Sequence, residues 1–288
     1  MITSSIDFNT FDNRGNYHNL LHGGEMNAYE IVDVTPDNLE KYDLFCKKSK
    51  PKEPCYQNKL TWYRDQFKNG LRIKLLMVDE GKPYKVSRGF VEYIPAEHGW
   101  RVVNAPGYTL IHCIWVVGRH KKKGYGAELL QGVIGDAKAQ GKKGVAVLAS
   151  TGHWAPSPKF LAKYGFTKVE EAMPSFQLMV HKFNDSPDPS FPTDWDKRAQ
   201  ALGKGLTIVR TVQCPYLLDA TDIVVDEAKK HGMDAKVIDL KSSKEVQERS
   251  PSAYGVFNVV YNGHIVSYCW ISKKDAPGLL AEAKVKYG

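Results

Sequence analysis

The stretch from Val116 to Ala149 constrains the fold most. An apolar run from Tyr108 to Val117 leads into a basic glycine loop, Gly118-Arg119-His120-Lys121-Lys122-Lys123-Gly124-Tyr125-Gly126. Leu129, Leu130, Val133, Ile134 and Ala137 then recur at helical spacing. Gly144 to Ala149 is continuously apolar, as a strand covered on both faces must be. Strand, loop, helix and buried strand form a βαβ-like unit, which commits this part of the chain to an α/β sheet with a helix laid across it. Gly132 and Gly135 each cost that helix roughly 1 kcal/mol relative to alanine, so tight packing is expected there.

The flanking sequence extends the unit in both directions. A strand is expected at Tyr29 to Val34, then a helix from Thr35-Pro36 to about Cys46, with the threonine as N-cap and proline at the first helical position. A second helix is expected from Gln57 to Lys68, with Leu60, Tyr63 and Phe67 on one face. Arg72 to Val78 and Arg88 to Tyr93 alternate as strands. A short helix ending near Tyr164 and a strand at Phe176 to Val180 complete this part. Asp185-Ser186-Pro187-Asp188-Pro189-Ser190, with Pro192 and Gly203-Lys204-Gly205, then reads as a linker over residues 184–204. Beyond it the expected order is strand (Leu206 to Val212), Cys214-Pro215-Tyr216, helix, strand, helix, two strands joined at Asn262-Gly263, and a last helix from Ala276. At 288 residues the chain is long for one core. The division expected is a polar tail (1–26), a first domain (27–183), the linker, and a second domain (205–288).

Composition excludes several classes. No apolar run approaches the roughly 20 residues of a spanning helix, and the N-terminus lacks a secretory signal, so no membrane partner is expected. The net charge of +8 comes without a basic arm or basic-aromatic interleaving, so no nucleic-acid partner is expected either. Five cysteines (Cys46, Cys55, Cys113, Cys214, Cys269) form no C-x-x-C pair and no zinc spacing. Reduced thiols in the cytoplasm and no metal site are the expectation.

A glycine loop at a helix start presents free N–H groups and the positive end of the helix dipole, and lysines beside it add Coulombic attraction. It is an anion cradle. No Gly-Lys-Ser/Thr follows, and Leu129 stands where a dinucleotide fingerprint has its third glycine. The pattern Val116-x-Gly-x-x-Lys-x-x-Gly-x-Gly, with Tyr164-Gly165-Phe166 further on, resembles the GNAT acetyltransferase superfamily. That resemblance implies a GNAT fold, a mixed central sheet flanked by helices, with acetyl-coenzyme A as co-substrate. It implies that the pyrophosphate is wrapped by Lys121, Lys122, Lys123, Gly124, Tyr125 and Gly126, with Lys121 at the family's Arg/Gln position. The pantetheine arm is then held along Trp115, Val116 and Val117. Phe90-Val-Glu-Tyr-Ile-Pro95, Ile111-His-Cys-Ile-Trp-Val-Val-Gly118 and Gln213-Cys-Pro-Tyr216 further resemble the YoaP-type acetyltransferases, whose members carry a thioredoxin-like α/β domain after the GNAT domain.

Acetyl transfer to an amine benefits from a base near neutral pH and an oxyanion donor. His112, on the same strand as Val116, is the candidate base, with a hydrogen-bonded core histidine as its other reading. The donor expected is the Val116 or Val117 N–H. Many GNAT enzymes place a tyrosine acid four residues before the Gly-Phe glycine, where this chain has Leu161; Tyr164 is expected to pack. Trp115 and Trp154 are candidate walls of an acceptor pocket or core residues, and Ser150 and His153 are minor candidates. Cys214, before Pro215 at a helix start, is a candidate acceptor contact and the thiol expected to be most reactive. Leu217 stands in place of a resolving cysteine and Phe257 in place of the clamping proline, so no dithiol chemistry is expected. Three functions stay open: acetylation of a small-molecule amine, acetylation of a protein or peptide docked by the second domain, and a non-catalytic coenzyme-sensing or thiol-handling role.

Overall fold

The structure is a computed structural model and describes residues 28–152 and 154–288. The tail expected at 1–26 and the candidate His153 lie outside the described residues.

The first sheet contains β1 (Tyr29–Val34), β2 (Arg72–Val78), β3 (Val86–Pro95), β4 (Thr109–Val116), β5 (Gly144–Ser150), β6 (Thr167–Ala172) and β7 (Phe176–Lys182), in the order β1-β2-β3-β4-β5-β7-β6. All neighbours are antiparallel except β4 and β5, which are parallel. The helices are α1 (Pro54–Phe67), α2 (Tyr125–Ala139) and α3 (Pro158–Ala162). Strand alternation splits the apolar residues between two cores. Val145, Val147 and Ala149 of β5 join Leu76, Val91 and Ile111 under Leu129, Leu130 and Val133 of α2. Ala146 and Leu148 face the opposite way, into a core with Leu75, Phe90, Leu110 and the aromatic face of α1. Leu129, Leu130 and Val133 are fully buried, each contributing about 2 kcal/mol of apolar burial. Gly132 lies against the aliphatic stem of Lys74, where an added Cβ would come within 3.0 Å.

The second sheet contains β8 (Leu206–Arg210), β9 (Ala235–Asp239), β10 (Phe257–Tyr261) and β11 (His264–Ser267), in the order β11-β10-β8-β9. β8 and β9 are parallel, while β10 runs antiparallel to both β8 and β11. It is flanked by α5 (Leu217–Lys230), α6 (Ser243–Arg249) and α7 (Ala276–Tyr287). The two sheets share one buried core: Phe176 of β7 stacks on Tyr254 at 5.9 Å, and the Val102 N–H donates to the Ala253 carbonyl at 3.2 Å.

Three expectations change. The helix from Thr35 to Cys46 is a turn followed by a 310 segment at Leu39–Lys41. Asn38 explains this: its side chain accepts the Thr35 N–H and donates to the Asp33 carbonyl, closing the chain before a helix propagates. The segment 184–204 is packed rather than loose. It carries α4 (Trp195–Gln200), buries Phe191 and Ala199, and bridges to the first sheet between Ser190 and Asn104. β6 is an additional edge strand whose Lys168, Glu170 and Glu171 obscure its apolar signal and keep the edge from pairing further.

Candidate active site

The first sheet is split at its centre. β4 and β5 pair only through Thr109–Ile111 and Val145–Val147, so the rest of β4 borders an opening on its β5 side. The Val117 N–H donates to the Arg88 carbonyl at 3.0 Å, which removes it as an oxyanion donor. Strand alternation turns the Val116 N–H the other way, toward the opening.

The glycine loop stands at the same end of β4. A 310 turn at Gly118–His120 leads to Lys122 and Gly124, both left-handed at φ 64° and 86°. Such alternation makes a concave row of N–H groups suited to an anion. Ala127 and Glu128 are the first residues of α2 to bond the Gly124 carbonyl, so among the described residues the N–H groups of Lys122 through Gly126 have no partner on the chain. Glu80 secures the approach by accepting from Arg88, Arg119 and His120; the Arg88 hydrogen bonds hold its carboxyl far below the usual range. Lys121 lies over the Trp115 ring at 4.7 Å. At Gly126 a Cβ would meet only side chains at ordinary van der Waals distance, the Phe160 ring at 3.5 Å and Val116 Cγ2 at 4.0 Å. The protein itself therefore leaves room at Gly126 for a group pressed against the loop. These residues fit a pyrophosphate.

Beside the split lies a cavity of about 270 Å³ between the two sheets. Ile114 and Trp115 of β4 form one wall, and Gln213, Cys214, Pro215, Tyr216 and Tyr254 from the second sheet's side form another. Trp154 joins the two halves: its ring stacks on Trp115 at 6.4 Å and meets Tyr216 at 5.5 Å and Trp270 at 5.3 Å. Trp115 and Trp154 are partly exposed wall residues here, not core. Phe45 and Cys46, from the segment that did not form a helix, also face the cavity.

A polar cluster that sequence reasoning missed is buried in this wall. Glu92 accepts from Lys59 Nζ at 2.6 Å and from Gln213 Nε2 at 2.7 Å, and its Oε1 lies 3.1 Å from His112 Nδ1. Burial alone would raise the Glu92 carboxyl, but Lys59 and His112 hold it down to about 2. One sequence signal was available: Glu92 is the only charge in the run Phe90 to Ile94, and a charge in an apolar strand needs a partner.

His112 corrects the expectation of a base. Its Nε2 accepts the Trp100 N–H at 2.9 Å, which fixes the neutral ring's proton on Nδ1, facing Glu92. Both nitrogens are occupied, the ring is absent from the cavity wall, and burial pushes its pKa down to about 4 against the pull of Glu92. Its other reading, a hydrogen-bonded core histidine, is the one the geometry supports. Cys214 meets the cavity, but burial pushes its thiol up, outweighing the hydrogen bond from the Tyr216 N–H. Burial therefore opposes the low thiol pKa expected from the helix start, as it does at Cys46, Cys113 and Cys269. Leu161 is fully buried, Tyr164 packs on Phe160, and Ser150 bonds Ser175. Among the described residues no helix is long and apolar enough to cross a membrane.

The sequence model of the acetyltransferase (GNAT) family matches residues 39–166. The uncharacterized N-acetyltransferase YoaP of Bacillus subtilis (strain 168) is 32% identical over 241 residues, covering 82% of this chain and 92% of that protein. Among solved structures, the acetyl-CoA complex of yncA, a putative acetyltransferase from Salmonella typhimurium, is 15% identical with a TM-score of 0.40, covering 57% of this chain and 99% of that one. A GNAT family acetyltransferase from Brucella melitensis in complex with acetyl-CoA is 14% identical with a TM-score of 0.36, over 57% of this chain and 96% of that one. On the family match and the YoaP relative, the chain belongs to the GNAT N-acetyltransferase family, the acyl-CoA N-acyltransferases.

Proposed function

We propose that this chain transfers an acetyl group from acetyl-coenzyme A to the amine of a small molecule held in the cavity between its two sheets. When bound, acetyl-coenzyme A supplies the activated acetyl thioester. The loop N–H groups from Lys122 to Gly126 and the start of α2 take the pyrophosphate, with Lys121 and Lys123 adding charge. Trp115 and Val116 border the pantetheine arm, and the Val116 N–H is the donor left for the thioester carbonyl. In the cavity wall Lys59 and His112 hold the Glu92 carboxyl well below the usual range, and burial raises the Cys113 and Cys214 thiols. In this reading the amine enters neutral, and the pH dependence of the rate follows the acceptor's own pKa.

The observation that carries the small-molecule reading is the closure of the cavity by the second sheet's side, through Gln213, Cys214, Tyr216 and Tyr254. We read residues 205–288 as a thioredoxin-like domain after a GNAT domain at 27–183 and a packed connector at 184–204. The β11-β10-β8-β9 order supports this. Leu217 and Phe257, where that fold keeps redox residues, are buried apolar side chains, so the domain acts here as a pocket wall. The five cysteines are free among the described residues, in keeping with a reducing cytoplasm. The test is coenzyme A thiol release from acetyl-coenzyme A across a panel of small amines and peptide N-termini. Turnover with a small amine, and a raised acceptor KM in Trp154→Ala with unchanged acetyl-coenzyme A affinity, is expected. Turnover with peptides alone would overturn the small-molecule assignment.

A further inference from the structure

The polar cluster leaves one charge without a counterion. Arg101 is 5% exposed and lines the cavity, yet among the described residues no carboxylate lies within ion-pair distance of it. Its contacts are neutral. Nη1 donates to the Trp100 carbonyl at 3.2 Å and to Gln213 Oε1 at 3.4 Å, and Nη2 donates to the His112 carbonyl at 2.8 Å. Its face lies over Tyr254 at 4.7 Å. A guanidinium has five donors, so Nε–H and one Nη2–H remain, and neither nitrogen is left as a buried orphan.

The arrangement keeps Arg101 from being neutralised internally. Glu92, the buried carboxylate of the cluster, is already paired with Lys59 at 2.6 Å. Gln213 stands between the two charges: its Oε1 accepts from Arg101 while its Nε2 donates to Glu92. With His112 neutral, Lys59 and Glu92 cancel, and Arg101 leaves the wall with a net positive charge. A buried charge without a counterion is costly. It is tolerable where a ligand supplies the opposite charge, and a planar guanidinium with free donors matches a carboxylate.

We propose that the acceptor carries a carboxylate, bound by Arg101 in the inter-sheet cavity, and that it belongs to the class of amino acids with an aromatic or apolar body. The class follows from the remaining wall, which is aromatic: Phe90, Trp115, Trp154 and Tyr216. This rests on the cavity being the acceptor site, and binding separates the two ideas. The full chain, saturated with coenzyme A, is titrated with acetate, phenylacetate and indole-3-acetate and with the carboxamide of each, following tryptophan fluorescence. Coenzyme A binding, measured first by calorimetry, tests the earlier assignment alone. At least one aromatic carboxylate is expected to bind tenfold or more tightly than its amide. Arg101→Gln should abolish that preference, and Arg101→Lys should retain part of it. Equal binding of acid and amide, no carboxylate binding, or a preference that survives in folded Arg101→Gln would overturn the proposal. If Arg101→Gln does not fold, as judged by circular dichroism, the acid–amide ratio of the native chain decides.

Discussion

If His112 is a core residue and not a base, its titration is written into folding stability rather than into turnover. Burial moves its pKa from the usual 6.5 to about 4. Each unit is worth about 1.4 kcal/mol, so keeping this ring neutral is linked to roughly 3 kcal/mol of stability. The sign follows from proton counts. Between pH 6.5 and 4 the unfolded chain binds a proton at this histidine that the folded chain refuses, so stability is present above 6.5 and is lost as pH falls toward 4. His112→Gln removes the titrating ring and keeps an amide able to accept from the Trp100 N–H and donate to Glu92. Urea unfolding of both proteins between pH 7 and 4.5 should show the stability gap narrowing by roughly 2–3 kcal/mol as pH falls. The variant should also keep the native shape of the kcat/KM profile between pH 6 and 8. A stability gap that stays constant with pH, or loss of a kinetic limb in that range, would refute the reasoning and restore His112 as the base.

Lys59→Met strands the buried Glu92 carboxylate and should cost about 3–5 kcal/mol in urea unfolding; adding Glu92→Gln should recover much of it, and strict additivity would show that the two are not coupled. At pH 7.5, iodoacetamide followed by mass spectrometry should label Cys214, Cys113 and Cys269 slowly, with rates climbing toward higher pH, because burial raises all three thiols, Cys113 to about 12 and Cys269 to about 11. Rapid Cys214 alkylation would mean that the helix start outweighs burial there.

What was legible in the sequence was what local pattern determines. β2 falls at Arg72–Val78 and β5 at Gly144–Ser150, since continuous or alternating apolar residues fix both faces of a strand. The glycine loop was legible because Gly124 needs a left-handed backbone and α2 begins directly after it. The threonine-proline start at 35–36 misled because Asn38, a few residues on, offered the backbone a competing turn. The cavity between the sheets was hidden for another reason. Lys59, Glu92, Arg101 and Gln213 come from α1, β3, a loop and the second half of the chain, and only the packing of one sheet on the other brings them together. Helix-start chemistry suggested a low thiol pKa for Cys214, but the depth of burial that reverses it is a tertiary property.

The central claim, that an acyl-coenzyme A binds across the loop and the β4–β5 split, is tested most directly by calorimetric titration with acetyl-coenzyme A, native chain against Gly126→Asp. The native chain should bind one molecule. At 100 times the dissociation constant it should gain roughly 2.7 kcal/mol of stability. Because a Cβ at Gly126 meets Phe160 and Val116 no closer than 3.5 Å, the variant should fold normally yet lose binding through charge and bulk in the cradle. Absence of binding by the native chain at millimolar acetyl-coenzyme A, or undiminished binding by the folded variant, would contradict the account.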